Sequence, residues 1–376
     1  MKDVRQKTLD ICSLILYDTA IIREMKESRT MSGMRDVANL AGVSLSTVSV
    51  VLSGSEKYVS PEIAEKVRQA AAALDYKLPF TKRFVQNAVA VLFPQITSSY
   101  FSNVLTGIDE VASESNSMIL YYNSNLKFER EKECVSILKK QKITGLVLDS
   151  ACPQELEAQY LDYLREEFVA RNVPVVFLGR RVSDPDFYCV YVDNYKSAYE
   201  EAEYLISRGC KRIAYLVGDR NFPYSLERYQ GYLDALRDHQ IEIDESIVIQ
   251  GDYSALSGYV AMASLLSRGD SFDALLSAND HMAIGAIKAL KESNIQIPEK
   301  VAVTGFDNLF PSTLISPSLT TLSVPRYYMG YEAVSECVRR IETPSAAVRH
   351  AVLESPIIIR SSSVPISDTV WDLTNW

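Results

Sequence analysis

Histidine is scarce in this chain, at three residues in 376, and none lies beside a cysteine or another histidine. The six cysteines (Cys12, Cys134, Cys152, Cys189, Cys210 and Cys337) are scattered, with no C-x-x-C and no paired spacing. These absences exclude a zinc site of ordinary spacing and a disulfide framework, and they suit buried thiols in a reducing compartment. No metal and no cofactor is expected. No run approaches the roughly 20 apolar residues that span a bilayer. Ile11–Tyr17 is apolar, but Asp10 and Asp18 bracket it and no small-residue cleavage site follows. It makes a poor export signal, so the expected location is cytoplasmic, with no membrane partner. The phosphate loop G-x-x-x-x-G-K-[ST], the nucleophile elbow G-x-S-x-G, the zinc helix H-E-x-x-H and the dinucleotide loop G-x-G-x-x-G are all missing. Carboxylates are plentiful, yet no spacing sets a pair at catalytic distance. An enzyme is not expected. Leucine heptads are missing after Ser363, which removes a C-terminal coiled coil.

What is present reads as two domains. The length exceeds one typical domain, and 47% hydrophobic with 23% charged residues is the balance of a folded globular protein. The net charge of −9 means the whole molecule is not drawn to a polyanion. Between Met34 and Asn87, however, seven Lys/Arg face five Asp/Glu, a balance of +2 that leaves −11 for the rest. A small module facing nucleic acid on an acidic body fits that asymmetry.

Residues 1–33 read as an amphipathic helical leader, with Leu9, Cys12, Ile15 and Leu16 at helical spacing and Met31 and Met34 as alternative starts. Residues 34–76 carry three short helical patterns, and 77–88, with Pro79, reads as a hinge or linker. Beyond it short apolar runs alternate with helical patterns. Val89–Phe93, Met118–Tyr122, Gly145–Leu148 and Val173–Leu178 form one series; Ile213–Val217, Ile247–Gln250, Ala274–Ser277 and Val301–Thr304 form a second. Starts spaced about 28 residues apart are those of βα units in a parallel sheet. Between strands, Val104, Leu105, Ile108, Val111 and Ala112 share one helical face. Two series of four strands predict two doubly wound lobes over 89–363, with a ligand cleft outside the carboxyl ends of the strands. Residues 364–376 form a tail without an assigned role.

The segment from Arg35 to Leu52 is the most informative. Ala38 is small where two helices would cross, and Gly42 can supply the positive φ of a tight turn. Ser44 is a good N-cap for the next helix. Val48 and Val51 should point inward with Val37 and Leu40. Ser60-Pro61-Glu62 opens a third helix as N-cap, first-position proline and acidic first-turn residue. Ile63, Val67, Ala70, Ala71 and Leu74 form its expected buried stripe. On this alone, the segment is a helix-turn-helix or a small helical bundle without a DNA role.

The pattern D-V-A-x-x-A-G-V-S-x-x-T-V-S-x-x-L at 36–52, with Y-V-S-P-E at 58–62 and L-D-Y at 74–76, resembles the lactose-repressor (LacI/GalR) family. The resemblance covers roughly residues 34–363. It implies a three-helix helix-turn-helix head followed by a two-lobed α/β effector domain similar to periplasmic binding proteins. It also implies a homodimer on a near-palindromic double-stranded DNA operator and a small-molecule effector, a sugar or sugar derivative, that changes the spacing of the heads. In that geometry the second helix enters the major groove. Leu45, Ser46 and Val50 then occupy base-reading positions, and Ser44, Thr47, Ser49, Ser53 and Tyr58 phosphate-contacting ones. Val50 departs from the family, which commonly has an arginine that reads guanine there; valine offers only apolar contact. The hinge departs further. The family's P-N-x-x-A-R-x-L is replaced by a shorter P-F-T-K-R-F-V-Q-N at 79–87, where Lys82 and Arg83 would meet phosphates and Phe84 or Val85 would act as the wedge, unless the segment is a plain linker.

The resemblance continues through V-Y-V-D-N at 190–194, R-x-x-G-Y at 228–232, G-D-Y-x-x-x-S-G-Y at 251–259, A-N-D-H-M-A-I-G at 278–285, G-F-D-N at 305–308 and L-T-T-L at 319–322. Polyhydroxyl ligands need fixed donors and acceptors, which Arg228, Asn279 and Asp307 would supply. Flat apolar ligand faces suit Tyr100, Phe101 and Tyr253. Arg180, just past a predicted strand, is a weaker candidate. The alternatives remain open: Arg228 as a surface ion pair, Tyr100 and Phe101 as core, Asp280 as a helix N-cap. A solute-binding protein with the same α/β fold and no DNA role is the alternative for the whole chain, and the helix-turn-helix argues against it.

Overall fold

A computed structural model describes residues 33–53, 59–74, 76, 87–95, 99–184, 186–344 and 350–365. They fall into two compact units, 1–85 and 86–376. The leader before Gly33, Tyr58, the hinge residues Lys82, Arg83, Phe84 and Val85, and the tail beyond 365 lie outside the described residues.

The first unit holds helices α1 (Met34–Ala41), α2 (Leu45–Ser53) and α3 (Pro61–Ala73). Gly42 ends α1 at φ +67°, the left-handed conformation expected of it, and Val43 N–H returns to the Ala38 carbonyl at 3.0 Å. Ser44 caps α2: its Oγ accepts from Thr47 N–H at 3.1 Å and its carbonyl from Val48 N–H at 3.1 Å. Ser60 caps α3 ahead of Pro61. The core is small: Val37, Ala38, Val48, Val67, Ala70 and Ala71. Two residues expected in it are not there. Leu40 is 57% exposed, because the buried side of α1 is centred on Val37, Ala38 and Ala41, about a third of a turn away. Ile63 is exposed in the first turn of α3, where Ala64 turns inward instead.

The second unit is two parallel-sheet lobes. The first sheet contains β1 (Asn87–Phe93), β2 (Ser117–Asn123), β3 (Gly145–Leu148), β4 (Val175–Leu178) and β5 (Tyr188–Val192). Helices α4 (Tyr100–Glu114), α5 (Phe128–Leu138) and α6 (Glu157–Glu167) alternate with them. The second lobe follows with α7 (Asn194–Ser207), β6 (Ile213–Val217), α8 (Pro223–Asp238), β7 (Val248–Gln250), α9 (Ala255–Ser267), β8 (Ala274–Ser277), α10 (Asp280–Glu292), β9 (Ala302–Phe306), α11 (Pro311–Leu314) and β10 (Thr320–Leu322). The chain then returns through α12 (Arg326–Glu342) and β11 (Ala351–Leu353) to the first lobe, and ends with β12 (Ile357–Ile358) in the second. The sheet orders are β11-β5-β4-β3-β1-β2 and β12-β10-β9-β8-β6-β7, all parallel except β12 on β10. Interior strands are buried along their whole length, since helices cover both faces, and so they read as continuous apolar runs.

Each sheet has six strands rather than the expected four. The added ones are β5, of five residues, and β10, β11 and β12, of two or three; β11 and β12 each follow a return crossing between lobes. Three crossings join the lobes: after β5, after β10 and after β11. Ser197 and Ser355 Oγ meet at 2.6 Å, tying the first crossing to the third. Across the lobes Ser99 Oγ and His281 Nε2 lie 3.2 Å apart. Among the described residues no single helix is long and apolar enough to cross a membrane.

Candidate functional site

The head presents one helix face. Leu45, Ser46, Ser49, Val50 and Ser53 follow the i, i+1, i+4, i+5, i+8 progression opposite the buried Val48. Leu45 and Ser46 are exposed, as is the cap Ser44; Thr47, Ser49, Val50 and Ser53 are half-buried. Ser44 Oγ also lies 2.8 Å from both Ser46 Oγ and Thr47 Oγ1, so three hydroxyls cluster at the start of α2. No charged residue occurs anywhere in α2. Its contacts are therefore hydroxyl, backbone N–H and aliphatic.

In the second unit a cleft open to solvent, with about 700 Å³ of empty space counting its open mouth, lies between the lobes. Pro94, Asp149 and Gly179 line it, just past the carboxyl ends of β1, β3 and β4, and Asp307 does so past β9. The remaining walls are Tyr100 and Phe101 from the start of α4, Tyr224 and Arg228 from α8, and Tyr253, Asn279, Gln95 and Leu126 from loops and caps. Six of the seven sequence-predicted cleft residues thus meet in one place: Tyr100, Phe101, Arg228, Tyr253, Asn279 and Asp307.

Arg180 does not join them. Its side chain is 2% exposed, ion-paired with Glu157, and its Nη1 donates to the Cys152 carbonyl at 2.7 Å. Gly179, at φ +81°, turns the chain so that Gly179 lines the cavity and Arg180 points into the first lobe. Asp280 is not the cap of α10 either. Asn279 is, accepting from Met282 N–H at 3.0 Å, while its Nδ2 donates to the Tyr253 carbonyl at 3.0 Å. Asp280 is buried behind it and accepts from Thr321 Oγ1 and Leu309 N–H, both at 2.6 Å. Arg228 is not a surface ion pair. Nε donates to Asn194 Oδ1 at 2.9 Å, Nη1 to the Ala278 carbonyl at 2.6 Å, and the guanidinium lies 3.5 Å from the Phe306 ring centroid. Tyr100 and Phe101 pack edge to face at 5.0 Å, so they are wall and core at once.

Asp307 is presented by strained backbone, at φ +114°, a conformation that persists only where surroundings fix it. The next residue provides that fixing. Asn308 receives Arg326 Nη2 on its carbonyl at 2.8 Å and Arg360 Nη2 on Oδ1 at 2.7 Å, and donates Nδ2 to Ser323 Oγ at 3.1 Å. Burial pushes the Asp307 carboxyl up to about 6, against the pull of Arg228 and Arg326. Asp149 is pushed up to about 8 by burial and by Glu131, with Arg180 opposing. Its loop is held from below: Glu131 accepts from Ser150 Oγ and Ala151 N–H, each at 2.6 Å. Asp149 and Tyr224 are cavity residues that the sequence reading missed. Position alone could have flagged Asp149, as the first residue beyond a buried strand.

Gly218, past β6, shows how closely the walls are fitted. A Cβ there would lie 2.1 Å from the Tyr253 ring, so only glycine lets that ring lie in place. Tyr253 itself adopts φ +68°.

A family model described as bacterial regulatory proteins, lacI family, matches residues 33–78, and one described as periplasmic binding proteins and sugar binding domain of LacI family matches residues 86–360. The chain belongs to the LacI family. It is a DNA-binding transcriptional regulator with a sugar-binding-type α/β domain. Related LacI-family proteins include the HTH-type transcriptional regulator AscG of Escherichia coli K12, 31% identical over 314 residues, covering 82% of this chain and 91% of AscG. The HTH-type transcriptional repressor CytR of the same strain is 30% identical over 345 residues, covering 90% and 98%. These relatives are regulators, not enzymes. Among solved structures, the lac repressor dimer bound to operator and the anti-inducer ONPF aligns with a TM-score of 0.69 at 25% identity, covering 88% of this chain and 99% of that one. The transcriptional regulator CelR–cellobiose complex aligns at 0.66 and 29% identity, with the same coverages.

Proposed function

We propose that this LacI-family regulator is a cytoplasmic homodimeric repressor whose α2 helices read a near-palindromic operator and whose cleft takes a sugar-like effector. The observation that carries the reading is the cavity wall. Carboxylates, an arginine and aromatic rings from both lobes converge beyond the carboxyl ends of the strands, so one ligand touches both lobes at once. A ligand that contacts both lobes favours one lobe arrangement over another, which is what coupling to DNA needs. Leu45, Ser46 and Val50 are assigned to base edges. Ser44, Thr47, Ser49, Ser53 and Tyr58 are assigned to phosphates, together with Lys82 and Arg83 of the hinge. A dimer is supported by α9, where Leu256 and Val260, one helical turn apart, are 71% and 57% exposed.

Selection of duplexes from a random pool by the full-length chain, followed by gel-shift titration with and without sugars, tests this reading. A two-half-site consensus whose binding weakens with a sugar is the expected result. Failure to enrich any sequence would overturn the operator reading, and a one-to-one protein–half-site complex would overturn the dimer.

A further inference from the structure

We propose that the effector of this cleft is an uncharged polyhydroxyl compound, and that the cleft rejects the phosphorylated form of the same sugar. The inference rests on the cleft being the effector site and adds to it the sign of charge that the cleft accepts.

The argument is a census of charge around the cavity. Two carboxylates face it, Asp149 from the first lobe and Asp307 from the second, and neither has a hydrogen-bond donor among the described residues. One cation lines it, Arg228, and two of its three nitrogens are already engaged, Nε by Asn194 and Nη1 by the Ala278 carbonyl. Among the described lining residues there is no lysine or histidine. The second layer holds two further arginines, neither of which lines the cavity. Arg180, beneath Asp149, is paired with Glu157, and Arg326, beside Asp307, donates Nη2 to the Asn308 carbonyl. Glu131 and Asp280 stand behind the two carboxylates, each holding backbone and hydroxyl donors.

A sugar hydroxyl satisfies such a wall directly, because it donates to a carboxylate that has lone pairs and no donor. A phosphate cannot. It brings close to two negative charges beside the Asp307 carboxylate, with one guanidinium N–H₂ group of the lining left to meet it. The rings of Tyr100, Phe101, Tyr224 and Tyr253 wall the space with apolar surface, so this repulsion is screened less than in bulk water. Burial raises both carboxyls, Asp149 to about 8 and Asp307 to about 6, so near neutral pH the repulsion falls on Asp307.

Calorimetric titration of the full-length protein with matched pairs tests the proposal: glucose and glucose 6-phosphate, ribose and ribose 5-phosphate, cellobiose and cellobiose 6′-phosphate. The expected result is that the neutral member of at least one pair binds and its phosphate binds at least tenfold more weakly. Asp307→Asn, with folding checked by circular dichroism, should weaken the neutral sugar and narrow the gap within the pair. A phosphate that binds as tightly as its parent sugar, with its binding lost in Tyr253→Ala, overturns the charge rule and leaves the cleft reading standing. Binding of either form that is unaffected by Tyr253→Ala and Asp307→Asn places the ligand elsewhere and overturns the cleft reading. Absence of binding by all six overturns the sugar reading and the inference with it.

Discussion

The two recognition surfaces of this regulator are built from opposite materials. The exposed face of α2 is uncharged, carrying hydroxyls and aliphatic side chains over a core of six small residues. The cleft is lined by carboxylates, an arginine and aromatic rings, set on two sheets with extensive cores. A neutral helix face can sort sequences by fit and by apolar contact, but it supplies little of the electrostatic attraction that dominates DNA affinity. The cleft, in contrast, can select by charge because its groups are buried and fixed before the ligand arrives. The difference also sets fragility: a small core has few contacts to lose, whereas the lobes have many.

Substitutions can break or sharpen this contrast. The largest effect is expected in the head. Val48→Asp puts a carboxylate into a core where Val48 has no exposure, at a cost of several kcal/mol. DNA binding should vanish while sugar binding persists, as gel-shift and calorimetry would report; retained DNA binding would mean the head does not depend on that core. Next is Gly218→Ala in the cleft. Its methyl would displace the Tyr253 ring, with a packing penalty of about 1–3 kcal/mol and a loss of effector affinity near tenfold or more. Operator binding without effector should be unchanged.

Val50→Arg converts an apolar contact into a bidentate guanine reader. Binding-site selection should then favour G at one position per half-site by about 1–3 kcal/mol. An unaltered consensus would show that Val50 does not face base edges. A separate effect concerns pH. Because the folded carboxyl of Asp149 is raised to about 8, the folded state holds a proton that the unfolded chain releases near pH 4. Its contribution to stability is full below pH 4 and is lost as pH rises toward 8. Asp149→Asn should remove that decline, giving a flatter curve of melting temperature against pH between 4 and 8. A curve unchanged from wild type would show that Asp149 ionises normally.

The fold was legible wherever a buried strand leaves a continuous apolar run. Gly145–Leu148, Ile213–Val217 and Ala274–Ser277 are strands at the residues the pattern predicts. The strands it missed are β5, present only inside the V-Y-V-D-N signature, and β10 to β12, of two or three residues each and stabilised by crossings that no local pattern encodes. In the head the caps at Gly42, Ser44 and Ser60 stand where chemistry placed them, but Leu40 does not face the core, because helical spacing alone does not say where a six-residue core is centred. The cleft follows the same rule. Residues carried by longer signatures, such as Arg228, Asn279 and Asp307, reach the cavity. Asp149 and Tyr224 lacked such a signature, and Arg180 was misplaced by one residue because the φ of Gly179 decides which of the two faces the ligand.

The coupling between cleft and helix is tested most directly by operator titration of the full-length protein, with and without a neutral sugar that binds it, repeated with Asp307→Asn. The account predicts that the sugar shifts operator Kd at least tenfold in the unaltered protein and much less in the variant at the same concentration. An operator Kd indifferent to a sugar that demonstrably occupies the cleft would contradict it.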